Sequence, residues 1–351
     1  MKKAAWLALC LLLLGVREAR AAAPEWWSLG YHPTPRAIAG MSEPAWSADQ
    51  PLRLAFHYRG DFTVQRNPDG EDVRVWLPLP ADDAYQAVYL FRLNPPPTRV
   101  LASRYGYRIA EFDFGALPDG AMAHIRFDAE AQIGRFHGGL DPRAVGPLEE
   151  IPEQIKADYL ADGPLYRIHD PAVVAAAREA VGDETNPLHM MGRIAWWVRH
   201  RLRYGFNHPK RSAPEVLEIR RGSCTEFSFL MIALARSVGL PTRYMAGSLD
   251  VRRSSARAGF DRNMFHKIVE VYLPRLGWTP VESAAGRGQD RTSDDLVGWT
   301  ANRMFIFQHE PEPGLAPLDP RNNIATVRPF GVASRLVVAR DEALQWAGEK
   351  K

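Results

Sequence analysis

Near Gly138-Gly139 the period of the apolar residues changes from two to about 3.6, and this shift constrains the fold more than any other feature of the chain. Before it, Leu52, Leu54, Phe56 and Tyr58 alternate with Arg53, His57 and Arg59. Further strand-like runs follow at 73–77, 87–93 and 107–114, and then Ala123, Ile125, Phe127, Ala129 and Ala131 alternate with polar partners. Asn67-Pro68-Asp69-Gly70, Asn94-Pro95-Pro96-Pro97 and Pro118-Asp119-Gly120 are turn signals between them. Short strands at this spacing predict a β-sandwich domain over residues 51–138, preceded by an irregular lead-in at 22–50. Nothing in that half clusters catalytic residue types, so its expected role is scaffolding or binding. After the shift, Asp170-Pro171 opens a helix that ends before Gly182, and Asn186-Pro187 opens a second through Ile194, Trp197 and His200. The chain is therefore expected to be α+β, and 351 residues with 46% hydrophobic positions can fill two cores.

Residues 1–21 read as an export signal. A Lys2-Lys3 head, an apolar run from Ala4 to Val16 and a small-residue exit at Ala19-Arg20-Ala21 follow signal-peptide grammar, with cleavage expected after Ala21. The run is too short to span a bilayer, which takes about 20 residues as a helix. The mature protein is therefore expected to be periplasmic or secreted, without a stable membrane anchor. This segment also carries the whole formal charge of +3 and leaves the remainder balanced, which disfavours nucleic acid as a partner. The basic run Arg199 to Arg203 reads as a solvated helix end complementing the dipole.

Of the two cysteines, Cys10 lies inside the signal, so the mature chain keeps Cys224 alone and has no intramolecular disulfide. A single thiol in an exported protein is either an inert core residue or a reactive group, and position separates the two. Ser223 followed by Glu226 is a capping box, which places Cys224 at the first turn of a helix. Phe227, Leu230, Met231 and Leu234 give that helix one buried face, and Gly239 with Pro241 stop it. Helix N-termini favour the thiolate and depress a cysteine below its ordinary value of about 8.5. A thiolate nucleophile needs an imidazole, and the imidazole needs an orienting acid. His266 heads an alternating run ending at Pro274-Arg275-Leu276-Gly277, and Trp278 to Glu282 forms a second short strand. A hairpin across that turn returns Glu282 towards His266. The candidate catalytic residues are thus Cys224, His266 and Glu282.

The stretch RRGSCTEFSFLMIALARSVGLPTRYMAG, ending at Gly247, and HKIVEVYLPRLGWTPVE from His266 to Glu282 together resemble the transglutaminase-like superfamily over roughly residues 150–290. The resemblance implies a papain-like α+β core preceded by a β-domain, with Cys224 as nucleophile, His266 as general base and acid, and Glu282 as orienting acid. Two positions depart from the usual pattern. The acid is a glutamate where aspartate is common, and Ile268 stands where an aromatic residue often lies near substrate entry. The Cys224 backbone N–H is expected in the oxyanion site, with Tyr204, Trp196 or Trp197 as a side-chain contributor, although a core role suits the tryptophan pair better.

These features predict an exported cysteine enzyme that hydrolyses peptide or amide bonds, with peptides or proteins, including cell-wall peptides, as substrates. Two alternatives stand beside it: cross-linking of a protein glutamine to an amine, and an inactive binding module that retains the fold. No cofactor is expected. Metal-ligand spacings and glycine-rich nucleotide loops are missing, and the adjacent Asp294 and Asp295 are weak evidence for calcium. The C-terminal extension, 291–351, contains strand-like 303–307 and 334–339 and has no assignable chemistry.

Overall fold

The computed structural model describes residues 27–28, 49–64, 67, 69–83, 86–135, 139–207, 209–249, 264–282, 294–299, 304–321, 325–328 and 332–337. The expected signal segment and most of the lead-in lie outside the described residues.

Alternation writes the first half as strands. They are β1 (Trp27–Ser28), β2 (Asp49–Val64), β3 (Asp72–Leu79), β4 (Gln86–Asn94), β5 (Arg99–Ala102), β6 (Arg108–Ala116) and β7 (Met122–Arg135). β1, β4, β7 and β2 form one antiparallel sheet in that order, while β3, β6 and β5 belong to another. Val75 and Leu77 of β3, Phe91 of β4, Phe112 of β6 and Phe127 of β7 meet in a single hydrophobic cluster between the sheets. Each such side chain contributes about 1.5–3 kcal/mol when fully buried.

The second half is helical first. α1 (Glu153–Tyr159) is followed by α2 (Pro171–Val181) and α3 (Pro187–Arg201), whose N-caps Asp170 and Asn186 accept from the Ala172 and Leu188 N–H groups. β8 (Arg203–Tyr204) runs parallel to β9 (Arg221–Gly222), with α4 (Ala213–Ile219) between them in sequence. α5 (Cys224–Ser237) leads into an antiparallel sheet ordered β12-β11-β10-β13, built from β10 (Thr242–Leu249), β11 (Met264–Leu273), β12 (Gly277–Val281) and β13 (Met304–His309). The sequence predicts one buried face for α5, whereas every residue from Cys224 to Arg236 is buried. The reason is its place in the layers: α2, α3 and α4 cover the side turned away from β10 and β11. Its polar residues are accommodated individually. Arg236 donates to the carbonyls of Thr242 and Ala161 and pairs with Glu310 at 3.0 Å, and Ser228 donates to the Lys267 carbonyl.

The C-terminal segment supplies one strand to each of the three larger sheets. β13 pairs with β10, β14 (Thr326–Arg328) with β3, and β15 (Val332–Val337) with β2. β13 also sends Phe305 and Phe307 into the cluster between the first two sheets, so it belongs to both halves. At Gly247 of β10 a Cβ would lie 2.1 Å from the Phe305 carbonyl oxygen, so the close approach of β10 and β13 requires glycine there.

A buried charged chain ties the halves together. His309 of β13 is bonded through Nε2 to Asp83 (3.0 Å) and through Nδ1 to Glu270 (2.8 Å). Arg243 donates to Glu270 (2.7 Å) and to the Tyr107 hydroxyl (2.9 Å), and its guanidinium stacks over Trp278. Burial opposes charge on Glu270, but Arg243 and His309 outweigh it and hold the carboxyl far below its usual range. Removing one partner from such a network leaves an uncompensated buried charge. Glu270→Gln is expected to destabilise the protein by about 3–5 kcal/mol in urea unfolding. Glu150→Gln, which breaks the exposed pair with Arg275, is expected to leave the midpoint nearly unchanged.

Candidate active site

α5 begins inside the protein, so its first N–H groups must find partners there. Ser223 and Glu226 complete a reciprocal capping box, with the Ser223 N–H donating to Glu226 Oε2 at 2.9 Å. Gly222 makes room for the returning carboxylate, since a Cβ at that position would lie 2.6 Å from Glu226 Cβ. Lys210 reaches in from the irregular stretch before α4, donating to Ser223 Oγ at 2.7 Å with its ammonium 3.3 Å from Glu226 Oε2. These bonds fix Cys224 at the first helical position, where it is 6% exposed.

The hairpin brings the other two candidates to the sulfur. β11 and β12 pair with Val269 opposite Val281, and the turn between them carries Glu282 back to His266. The His266 Nε2–H donates to Glu282 Oε1 at 3.0 Å and lies 3.3 Å from Oε2. Cys224 and His266 are hydrogen-bonded side chain to side chain. With Nε2 turned to the carboxylate, Nδ1 is the nitrogen left for the sulfur. Thus the structure joins Cys224, His266 and Glu282 in one buried line.

Electrostatics favours charge separation along that line. Burial disfavours the Cys224 thiolate, but the His266 hydrogen bond and charge, the Lys267 backbone N–H and Lys210 together bring the thiol below its ordinary range. Burial likewise disfavours protonated His266, and Glu282 with the sulfur outweighs it, pushing the imidazole up to about 10.

Of the three aromatic candidates beside the oxyanion site, Tyr204 is the one at the cysteine. Its hydroxyl lies close enough to feel the sulfur, and burial together with the nearby sulfur charge pushes its pKa up to about 12. Trp196 is 45% exposed and stacks on His200, so the core role expected for it is not observed. Trp197 packs against the helical core, with Arg201 over its ring. Ile268, expected near substrate entry, is instead 1% exposed within the sheet. Lys210 escaped sequence reasoning because an irregular segment carries no period that reveals where a side chain points.

Residues 174–283 match the family model of the transglutaminase-like superfamily. The chain therefore carries a domain of that superfamily. An uncharacterized protein of Haemophilus influenzae is 23% identical over 337 residues, covering 81% of this chain and 87% of that protein. Protein YebA of Bacillus subtilis is 34% identical over 77 residues, 20% of this chain and 10% of its own length. The crystal structure of a candidate cysteine protease from Cytophaga hutchinsonii superposes with a TM-score of 0.59 at 15% identity, covering 85% of this chain and 93% of that one. Likeness at that identity shows a shared fold.

The pairing of sulfur and imidazole has a direct chemical readout. Alkylation of Cys224 by iodoacetamide is expected to stay fast below pH 8, with its midpoint under the ordinary thiol value of about 8.5. In His266→Ala the midpoint is expected to rise to or above that value, because burial then acts on the thiolate with its strongest opposing partner removed.

Proposed function

We propose that this protein is an exported cysteine hydrolase that cleaves amide bonds through Cys224, His266 and Glu282. The single observation that carries the reading is the contact of His266 with both the Cys224 sulfur and the Glu282 carboxylate at the N-terminus of a buried helix. Fold alone does not specify chemistry, but this arrangement supplies nucleophile, proton carrier and orienting acid within reach of one another. Export rests on the N-terminal signal grammar. Among the described residues, no helix is long and apolar enough to cross a membrane.

The reaction follows from the charge state. The Cys224 thiolate attacks the amide carbonyl carbon, a C–S bond forms, and the oxyanion faces the Cys224 backbone N–H. The tetrahedral species collapses as the C–N bond breaks, and the His266 imidazolium gives its proton to the departing amine. A thioester on Cys224 remains. Neutral His266 then takes a proton from water as its oxygen adds to the thioester; the C–S bond breaks, releasing a carboxylic acid and restoring the thiolate and imidazolium. Glu282 keeps the imidazole oriented and stabilises its positive form throughout.

Tyr204 stands beside Cys224, so the substrate carbonyl oxygen must pass its hydroxyl to reach the Cys224 N–H. At 39% exposure the side chain has room to turn outwards.

Hydrolysis of a casein or peptidoglycan-peptide library by the mature protein, followed by mass spectrometry, tests the reading. Cleavage is expected with the wild type and is expected to vanish in Cys224→Ala. The rate should be bell-shaped in pH: the acid limb marks protonation of the thiolate, and the basic limb, near pH 10, marks loss of the His266 proton. Glu282→Gln is expected to lower kcat by at least about 100-fold while shifting the basic limb downwards. Products that gain an added amine instead of water would replace hydrolysis by cross-linking. Full cleavage by Cys224→Ala would overturn the mechanism.

A further inference from the structure

Phe206 has no part in the chemistry described above, yet it stands beside the nucleophile with its ring in solvent. It is 56% exposed, and its ring meets that of Tyr204 nearly edge to face, at 77° with centroids 6.0 Å apart. A single exposed apolar residue needs no explanation, but a contiguous aromatic pair at a reactive cysteine does.

Two separate contacts place Phe206 there. One runs through Tyr204, whose hydroxyl feels the Cys224 sulfur and whose ring lies 6.1 Å from that of Phe227, fully buried one turn further along α5. The other runs through Lys210. Its Nζ lies 2.7 Å from the hydroxyl of Ser223, the residue before Cys224, and 5.7 Å from the centre of the Phe206 ring. Between the two aromatics the backbone is covered from the other side: a Cβ on Gly205 would lie 2.4 Å from Arg221 Nε. Alternation therefore turns Tyr204 and Phe206 together to the side of the sulfur.

The three rings form a ladder, from Phe227 through Tyr204 to Phe206, each more open than the last, that leads outwards from the helix carrying the nucleophile. Charge at its outer end is already answered. The Lys210 ammonium is 3.3 Å from Glu226 Oε2, so it meets the Phe206 ring as a neutralised neighbour and leaves the ladder an apolar surface.

We propose that Phe206 is a specificity residue: with Tyr204 it receives a bulky apolar side chain, an aromatic one above all, carried by the amide substrate within a residue or two of the scissile bond. Aromatic rings favour edge-to-face or offset contacts with centroids about 4.5–7 Å apart, and a substrate ring would extend the spacing this ladder already has. Covering Phe206 also removes apolar surface from water, which only a substrate with an apolar group at that place can do. The inference rests on the acyl-transfer reading of Cys224.

Reactivity of the thiol measures this preference without the natural substrate. Rates of Cys224 alkylation by N-benzyl-iodoacetamide and by iodoacetamide are compared in the wild type, Phe206→Ala, Phe206→Trp and Met122→Ala, with N-acetylcysteine as the free-thiol reference. Met122, on β7, is as exposed as Phe206 and serves as the control. The benzyl-to-parent ratio is expected to exceed that of the reference by at least about fivefold in the wild type, Phe206→Trp and Met122→Ala, and to fall to the reference in Phe206→Ala. On paired peptides with Phe or Ala beside the scissile amide, Phe206→Ala is expected to raise KM for the Phe peptide and to change kcat far less. Fast reaction with both reagents at the reference ratio overturns the aromatic site and leaves the nucleophile standing. A preference that survives in Phe206→Ala assigns it to another wall of the cleft and likewise overturns the proposal. So does a wild-type dimer in sedimentation that Phe206→Ala converts to monomers with the ratio unchanged, since the ring pair is then a contact between copies. Slow reaction with both reagents overturns the catalytic reading, and this inference with it.

Discussion

The N-terminus of α5 starts away from bulk water, and the site depends on how its first amide groups are satisfied. A helix end buried without partners would cost more than the side chains around it return. Here Ser223 and Glu226 bond each other's backbone, Gly222 leaves the space for the exchange, and Lys210 balances the carboxylate. Cys224 inherits a fixed position from that arrangement. It also inherits the partial positive charge of the helix end, in a setting where little solvent screens it.

The sheet meets that fixed point with equal definition. His266 and Glu270 lie four residues apart on β11 and serve different networks, one at the cysteine and one between the two halves of the molecule. Any slip of β11 against β10 would therefore disturb both at once. Gly247, the Cα partner of His266, is locked against the Phe305 carbonyl on its other side, which helps hold that register. Position of the imidazole and docking of the first two sheets are thus coupled through one strand.

Local chemistry was the legible part of the sequence. The capping box needs only a three-residue spacing, the helices at Asp170-Pro171 and Asn186-Pro187 carry their own start signals, and the β11–β12 hairpin follows from a turn with equal arms. Long-range register was not legible. Asp83 and His309 are 226 positions apart, and nothing in either neighbourhood announces the other. The complete burial of α5 was hidden for a related reason: Glu226, Ser228 and Arg236 break its apolar pattern, yet each is accommodated by bonds made to other elements. Arg203 and Arg221 illustrate the same limit at the surface, since only the parallel pairing of two short strands brings them together.

The return of the last strands to the first sheets has a temporal consequence. β15 zips onto β2, with Val332 facing Val64 and Val337 facing Arg59, so β2 lacks its final neighbour until residues 332–337 have been synthesised. Contacts this distant in sequence close late and slowly. A chain built this way leaves that edge of β2 open while all the residues between the two strands emerge from the ribosome.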